Sequence, residues 1–188
     1  MNKISGLLIL LCLAGVGSTG SAADLADDSI YHIDSIWLDQ ERRSMNINEL
    51  QGKLQLVAFV YSYCEHSCPF ILANLKKIER ALPENASSGL QFSLISLDPA
   101  RDTPEVLNQY MRDHELPAPV WQMLSGDADD VLELAALIGV RYKPMDSGGD
   151  IAHSNMITLL DNEGRILYQL KGLNQDFDEM LRLIERQL

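Results

Sequence analysis

The residues best suited to chemistry are two cysteines, Cys64 and Cys68, the second of which stands directly before Pro69. A near-continuous apolar run from Leu54 to Tyr61 precedes them and helical spacing follows them, so the dithiol is expected where a buried strand leads into a helix. Free backbone N–H groups and the dipole at a helix N-terminus stabilise negative sulfur and lower the pKa of a thiol. The position therefore predicts thiolate chemistry, either redox exchange or metal binding.

A structural disulfide is the plainest alternative for this pair, but so short a loop constrains the unfolded chain little. The spacing separates the two chemical uses. A two-residue spacer is the common choice for dithiol–disulfide exchange, whereas the longer spacer between Cys64 and Cys68 gives enough slack for both sulfurs to face one soft ion. The spacing favours metal binding, and redox exchange stays open as the second possibility.

The elements that position this dithiol alternate between strand and helix in a thioredoxin-like order. Apolar runs bounded by turn residues predict strands, and apolar residues at helical spacing predict helices. We expect an α/β fold with a central mixed sheet flanked by helices and an N-terminal β-hairpin. The predicted elements are, in order, a hairpin of Ile30–Trp37 and Ser44–Ile47, a strand over Leu54–Tyr61, a helix after Cys68, a strand over Leu90–Leu97, a helix from Pro104 to about His114, a strand over Val120–Leu124, a helix over Asp127–Ile138, an irregular stretch over Arg141–His153, a hairpin of Met156–Leu160 and Ile166–Leu170, and a last helix that reaches Leu188.

A third ligand is expected from a histidine, because two thiolates leave a coordination position that neutral imidazole suits for copper in either oxidation state. Of the 4 histidines, His153 is the strongest candidate, since it lies just before the predicted strand from Met156. In a thioredoxin-like fold the loop that enters this strand faces the dithiol. The alternative is a loop histidine bonded to backbone. His66 is interpreted as an exposed loop residue, with a fourth ligand or a proton donor to a leaving thiolate as its alternatives.

Three segments in this order resemble the Sco/SenC family: Phe59–Pro69, Ser96–Glu105, and His153-Ser154 followed by Leu159–Gly164. The resemblance implies a thioredoxin-like fold, copper ligation by Cys64, Cys68 and His153, and copper delivery during cytochrome c oxidase assembly. The recipient it implies is a copper protein such as an oxidase subunit, with an upstream copper donor or thiol reductant as a further partner.

Two departures from that family lie beside the expected ligands. Its members commonly carry Asp directly before the histidine, where this chain has Ala152, and Asp150 stands two residues away. The spacer between the sulfurs also holds an acid and an extra imidazole, Glu65 and His66. The orientation of the imidazole, the metal affinity and the reduction potential are therefore expected to depart from the family norm.

Other residues near these motifs have simpler interpretations. Asp98 and Asp102 fit a turn and a helix cap, and Arg101 fits an ion pair with a neighbouring carboxylate. Met145 offers a soft thioether to Cu(I), but filling an apolar gap explains it more simply.

The composition and the first residues of the chain indicate its compartment and the partners that its charge excludes. Residues 1–23 resemble an export signal, with Lys3, an apolar stretch from Leu7 to Val16 and small residues at Ser21-Ala22-Ala23, which predicts cleavage and leaves residues 24–188 as one domain. The formal net charge of −12 becomes −13 without them, because they hold one basic and no acidic residue. Such a surface is unsuited to nucleic acid. We expect a periplasmic protein, although a membrane tether by an uncleaved signal stays open.

Two functions use the same residues. In the first, Cys64, Cys68 and His153 hold copper and pass it by ligand exchange to a copper protein, so the chain is a carrier and not an enzyme. In the second, the chain is a thiol–disulfide oxidoreductase that keeps the cysteines of such a partner reduced, with one cysteine attacking and the other resolving. Zinc is a further candidate metal for two sulfurs and one nitrogen.

Overall fold

The computed structural model describes residues 25–145 and 150–188. Within these ranges the chain forms a mixed sheet flanked by helices, and a separate two-stranded hairpin. The strands are β1 Ile36–Asp39, β2 Ser44–Asn46, β3 Leu54–Val60, β4 Leu90–Ser96, β5 Trp121–Ser125, β6 Tyr142–Pro144, β7 Ile151–His153, β8 Met156–Leu160 and β9 Ile166–Lys171. The helices are α1 Cys68–Ala81, α2 Pro104–Asp113, α3 Ala128–Ile138 and α4 Asp178–Gln187.

The main sheet has the strand order β2-β1-β5-β4-β3-β8-β9. Strands β3, β4 and β5 run parallel, whereas β8 is antiparallel to β3 and β9 is antiparallel to β8. The N-terminal hairpin of β1 and β2 joins the sheet through an antiparallel contact between β1 and β5. The predicted fold class, a thioredoxin-like α/β fold with a mixed sheet, is confirmed.

Strand β3 is a central strand of the sheet, between β4 and β8, and every one of its residues is buried. Its single polar side chain, Gln55, donates to the Leu50 carbonyl and accepts from the Ser93 hydroxyl, so its burial leaves no unpaired amide. Helix α1 packs its apolar face against the sheet, with Leu75 and Ile78 fully buried. The end of β3 is therefore a rigid platform for the loop and helix that follow it.

Two segments differ from the sequence prediction. Ile30–His32 forms a short 3-10 turn rather than a strand, because the Ser29 side chain accepts from the Tyr31 N–H and starts a turn there. The stretch predicted to be irregular contains the antiparallel hairpin of β6 and β7, with Tyr142 opposite His153. The predicted export signal, residues 1–23, lies outside the described residues. Among the described residues, no helix is long and apolar enough to cross a bilayer.

Candidate metal centre

The three predicted ligands come from two separate parts of the chain. Cys64 lies in the loop between β3 and α1, Cys68 is the first residue of α1, and His153 is the last residue of β7. Their ligand atoms all lie within 4.8 Å of one another. Both cysteines are free thiols and buried, and His153 is half-buried. The fold thus brings the dithiol and the imidazole to one point at the end of the central strand.

The loop that carries the dithiol is held by backbone hydrogen bonds to sulfur and oxygen. The Cys64 N–H donates to the Tyr61 carbonyl at 3.1 Å, and the Cys68 N–H donates to Cys64 Sγ at 3.3 Å. The sulfur therefore accepts one of the N–H groups that a helix start leaves without a partner. Pro69, in the first turn, lacks an N–H and fits this position.

The two thiols have opposite acidities. Burial opposes ionisation of Cys64, but hydrogen bonds from the Cys68 thiol and from the Cys68 and His66 N–H groups outweigh burial and lower its pKa to about 6. For Cys68, burial and the neighbouring Cys64 sulfur raise the pKa well above the ordinary range of a thiol. At neutral pH Cys64 is therefore a thiolate and Cys68 a thiol that donates to it.

The imidazole of His153 presents a defined nitrogen to the sulfurs. Its Nδ1 lies 3.2 Å from the Ser154 carbonyl oxygen, which can only accept, so Nδ1 carries the hydrogen in the neutral ring. Its Nε2 lies 3.8 Å from Cys68 Sγ and 3.2 Å from Ser67 Oγ. The Nε2 lone pair is therefore directed at the dithiol, as a metal ligand requires.

Tyr61, predicted as the last residue of the strand that precedes the dithiol, connects the dithiol loop with β7, which carries His153. Its hydroxyl accepts from the Ile151 N–H at 3.2 Å, and its ring meets the His153 ring edge to face with 6.0 Å between centroids. Burial, with the nearby Cys64 sulfur, raises the pKa of Tyr61 to about 12, so the hydroxyl keeps its proton. Tyr61 thus ties the strand that carries the imidazole to the loop that carries the thiols.

Asp102 supports the loop from behind. It is fully buried, and its carboxylate accepts from the Ser62 N–H at 3.2 Å and from the hydroxyls of Ser62 and Ser96. Its predicted role as a cap of the next helix is thus replaced by a long-range role. Asp98 does pair with Arg101 as expected, and the Arg101 guanidinium lies 5.2 Å from the centre of the Tyr63 ring.

Two other residues considered from the sequence have different surroundings. His66 is exposed, and within the described residues the grouping of His, Cys, Asp and Glu side chains contains Cys64, Cys68 and His153 without it. Met145 is 53% exposed, so it fills no apolar gap, and its N–H donates to the Asp150 carbonyl. His66 therefore contributes no ligand atom to this cluster.

The donor set fits a soft metal ion. Donor atoms that share one ion at about 2.0–2.3 Å lie roughly 3.5 Å from each other, and Cys68 Sγ and His153 Nε2 are already 3.8 Å apart. Two sulfurs and a neutral imidazole suit Cu(I), Cu(II) and Zn²⁺, whereas Mg²⁺ and Ca²⁺ prefer oxygen. The site needs little rearrangement to hold one ion, although Cys68 must lose its proton first.

Known proteins resemble this chain over most of its length. A family model described as SCO1/SenC matches residues 35–188. The SCO2-like protein of Rickettsia prowazekii is 30% identical over 135 residues, which cover 69% of this chain and 64% of that protein. The matched segment therefore spans less than two thirds of that relative's length.

Two solved structures with copper bound share the fold. The ScoI structure from Bradyrhizobium japonicum is 27% identical, covers 82% of this chain and 97% of that chain, and has a TM-score of 0.69. The copper-bound structure of yeast Sco1 is 28% identical, covers 81% of this chain and 84% of that chain, and has a TM-score of 0.65.

Proposed function

The chain belongs to the SCO1/SenC family, and from this premise we propose that it binds one copper ion through Cys64, Cys68 and His153 and delivers it to a copper protein. The observation that carries the proposal is the convergence of two sulfurs and an imidazole nitrogen within 4.8 Å. Copper is bound in the similar solved structures of Bradyrhizobium japonicum ScoI and yeast Sco1. In this function copper is the cargo rather than a resident cofactor.

The chemistry of the three ligands supports a carrier that can both take up and release its ion. Cys64 offers a thiolate at neutral pH, and His153 offers a lone pair that is already directed inward. Two thiolates hold Cu(I) well, and the imidazole adds a donor that Cu(II) favours. A site with few protein ligands leaves room for an incoming ligand, so transfer can proceed by stepwise exchange without free copper.

The family and the first residues support a proposal for the recipient and for the compartment. We propose a copper site of cytochrome c oxidase as the recipient, and an upstream copper donor or thiol reductant as the second partner. The setting is the periplasm, with residues 1–23 acting as the export signal. A fractionation test with an antibody to the chain would contradict this setting if the protein stayed in the cytoplasm.

Copper titration tests the carrier function. The reduced chain, with copper buffered by a competing chelator, is expected to bind one copper ion, and Cys64→Ser or Cys68→Ser is expected to abolish tight binding. Zn²⁺ in the same assay tests the selectivity of the site. If the reduced wild type binds no copper at buffered concentrations where other thiolate sites fill, the carrier function is wrong.

The opposite acidities of the two thiols favour a second candidate, a thiol–disulfide oxidoreductase. The Cys64 thiolate would attack a partner's disulfide and form a mixed disulfide, releasing one partner thiolate. Cys68 would then lose its proton, attack Cys64 Sγ and release the second partner thiolate. The partner gains two electrons as two thiols, and the chain is left with a Cys64–Cys68 disulfide that an external thiol reductant must reduce.

A metal-free exchange assay separates this candidate from the carrier. The substrate is a disulfide-bonded peptide that contains the cysteine pair of a copper-receiving protein. If the chain is an oxidoreductase, the wild type is expected to reduce this disulfide and Cys64→Ser is not. Cys68→Ser is expected to accumulate the mixed disulfide, because the resolving thiol is absent. Multiple turnovers with a thiol reductant and no metal would make redox exchange the primary activity.

A further inference from the structure

Ser67 occupies the N-cap position of α1 without performing the usual task of a serine there. Such a hydroxyl ordinarily accepts from a backbone N–H in the first turn of the helix. Ser67 makes no side-chain cap bond, and Cys64 Sγ accepts the Cys68 N–H instead. The Ser67 hydroxyl is turned into the site, 3.2 Å from His153 Nε2 and 3.7 Å from Cys64 Sγ. The hydroxyl thus touches both the imidazole and the first sulfur.

The direction of the bond to His153 follows from the other ring nitrogen. Nδ1 faces the Ser154 carbonyl and carries the hydrogen, so the Nε2 of a neutral ring can only accept. The Ser67 hydroxyl is therefore the donor. The lone pair that accepts this hydrogen bond is the same lone pair that a metal ion would use.

We propose that Ser67 is a positioning residue whose hydroxyl holds the His153 imidazole beside the two sulfurs in the metal-free protein. When the Nε2 lone pair is used for copper, the hydroxyl turns to Cys64 Sγ. It then has an acceptor before and after metal binding, so binding leaves no hydroxyl without a partner. The role in copper selectivity rests on the proposed carrier function, whereas the role in the metal-free protein does not.

The need for such a residue comes from where His153 lies. Strand β7 belongs to a two-stranded sheet that is separate from the main sheet. Ser67 holds the imidazole itself, and Tyr61 holds the backbone of β7 at Ile151. A ligand already held near its bound position loses less freedom on metal binding, which raises the affinity. Because Cu(II) depends on the imidazole more than Cu(I) does, Ser67 should favour Cu(II) retention.

Ser67→Val and Ser67→Thr form a matched pair, because the two side chains have nearly the same shape and differ in a hydroxyl. The first measurement needs no metal: ¹⁵N NMR of the His153 ring in the reduced protein reports whether Nε2 accepts a hydrogen bond. We expect Ser67→Thr to keep the wild-type Nε2 signal and Ser67→Val to shift it towards that of a free acceptor. Ser67→Ala, which cannot crowd the site, is expected to behave as Ser67→Val does.

The second measurement is copper affinity by chelator competition. We expect Ser67→Val and Ser67→Ala to weaken Cu(II) binding by about threefold to tenfold, the range for ordering one side chain on binding, and to weaken Cu(I) binding less. Ser67→Thr is expected to restore the Cu(II) affinity. Equal Nε2 signals in the Val and Thr variants, or equal Cu(II) affinities, would overturn the positioning role. A wild type that binds no copper refutes the carrier function, while the NMR comparison still decides the role of Ser67.

Discussion

The acidity of Cys64 gives the sharpest test of the site without any metal. Hydrogen bonds from the Cys68 thiol and two backbone N–H groups outweigh the effect of burial and lower the Cys64 pKa to about 6. At pH 7 about 90% of Cys64 is then thiolate, against roughly 3% for an ordinary thiol of pKa about 8.5. The fraction of thiolate thus rises about thirtyfold.

The alkylation rate at a single pH hides most of this difference. A thiolate of lower pKa is a weaker nucleophile, and a Brønsted coefficient of about 0.45 over roughly 2.5 pKa units lowers its rate constant about 13-fold. Most of the thirtyfold gain in thiolate is therefore cancelled, and the rate at pH 7 rises only about twofold. The pH at the midpoint of the reaction is the quantity that discriminates.

The assay follows ultraviolet thiolate absorbance and iodoacetamide alkylation of the reduced, metal-free chain from pH 4 to 10. Cys12, which lies in the predicted export signal, is replaced by serine in every variant, so that Cys64 and Cys68 are the only cysteines that titrate. We expect one thiolate to form with a midpoint near 6. Cys68→Ser keeps a hydroxyl donor and should retain this step, whereas Cys64→Ser should lose it, because burial raises the Cys68 pKa. Two thiols that titrate together in the ordinary range would refute the account of the thiolate.

Three further predictions concern stability and ligands. In the reduced, metal-free protein Cys64 is deprotonated in the folded state and still protonated in the unfolded state between about pH 6 and about pH 8.5. The free energy of unfolding, measured with urea, should therefore rise with pH across this window. The Cys64→Ser variant should lack the rise. His153→Ala should weaken Cu(II) binding more than Cu(I) binding in chelator competition, because two thiolates hold Cu(I) alone; equal losses would contradict this. Asp102→Asn replaces one of the two buried carboxylate oxygens that accept from Ser62 and Ser96 with an amide donor and should lower the free energy of unfolding by about 1–3 kcal/mol in urea titration, and an unchanged value would show that the buried carboxylate does not hold the loop.

The parts of the fold that the sequence predicted best are those with strong local signals. The run from Leu54 is apolar throughout because β3 is buried on both faces, and Pro69 marks the first turn of α1. Gly139 has φ +84° and ends α3, as its freedom at positive φ predicts. These signals fixed the end of the central strand and hence the place of the dithiol.

The hairpin of β6 and β7 was missed because its strands are short and its side chains carry no apolar alternation. Lys143 and Pro144 are exposed, and Ala152 is exposed as well. The hairpin is defined by pairing between Tyr142 and His153 and by the bond from the Ile151 N–H to the Tyr61 hydroxyl. The contact between Ile151 and Tyr61 joins residues 90 positions apart, which periodicity does not detect.

The same limit applies to the residues around the ligands. The contact of Ser67 with His153 spans 86 positions, and that of Ser62 with Asp102 spans 40. A serine at a predicted helix start signals a cap, and Asp102 before a Thr-Pro pair signals a turn, so local rules assign each a local task. In the structure the Ser67 hydroxyl contacts His153, and Asp102 holds Ser62 in the loop that carries the dithiol. Local sequence rules do not detect such residues, because only the fold brings these polar side chains within reach of the dithiol loop and its imidazole partner.

X-ray absorption at the copper edge is the most direct test of the central claim, that two sulfurs and one imidazole nitrogen hold one copper ion. The copper-loaded, reduced chain should show two sulfur scatterers and one nitrogen scatterer from an imidazole. The nitrogen should disappear in His153→Ala, and a sulfur should disappear in Cys64→Ser or Cys68→Ser. A shell of oxygen and nitrogen alone, or a shell that these substitutions leave unchanged, would contradict the assignment of Cys64, Cys68 and His153 as the ligands.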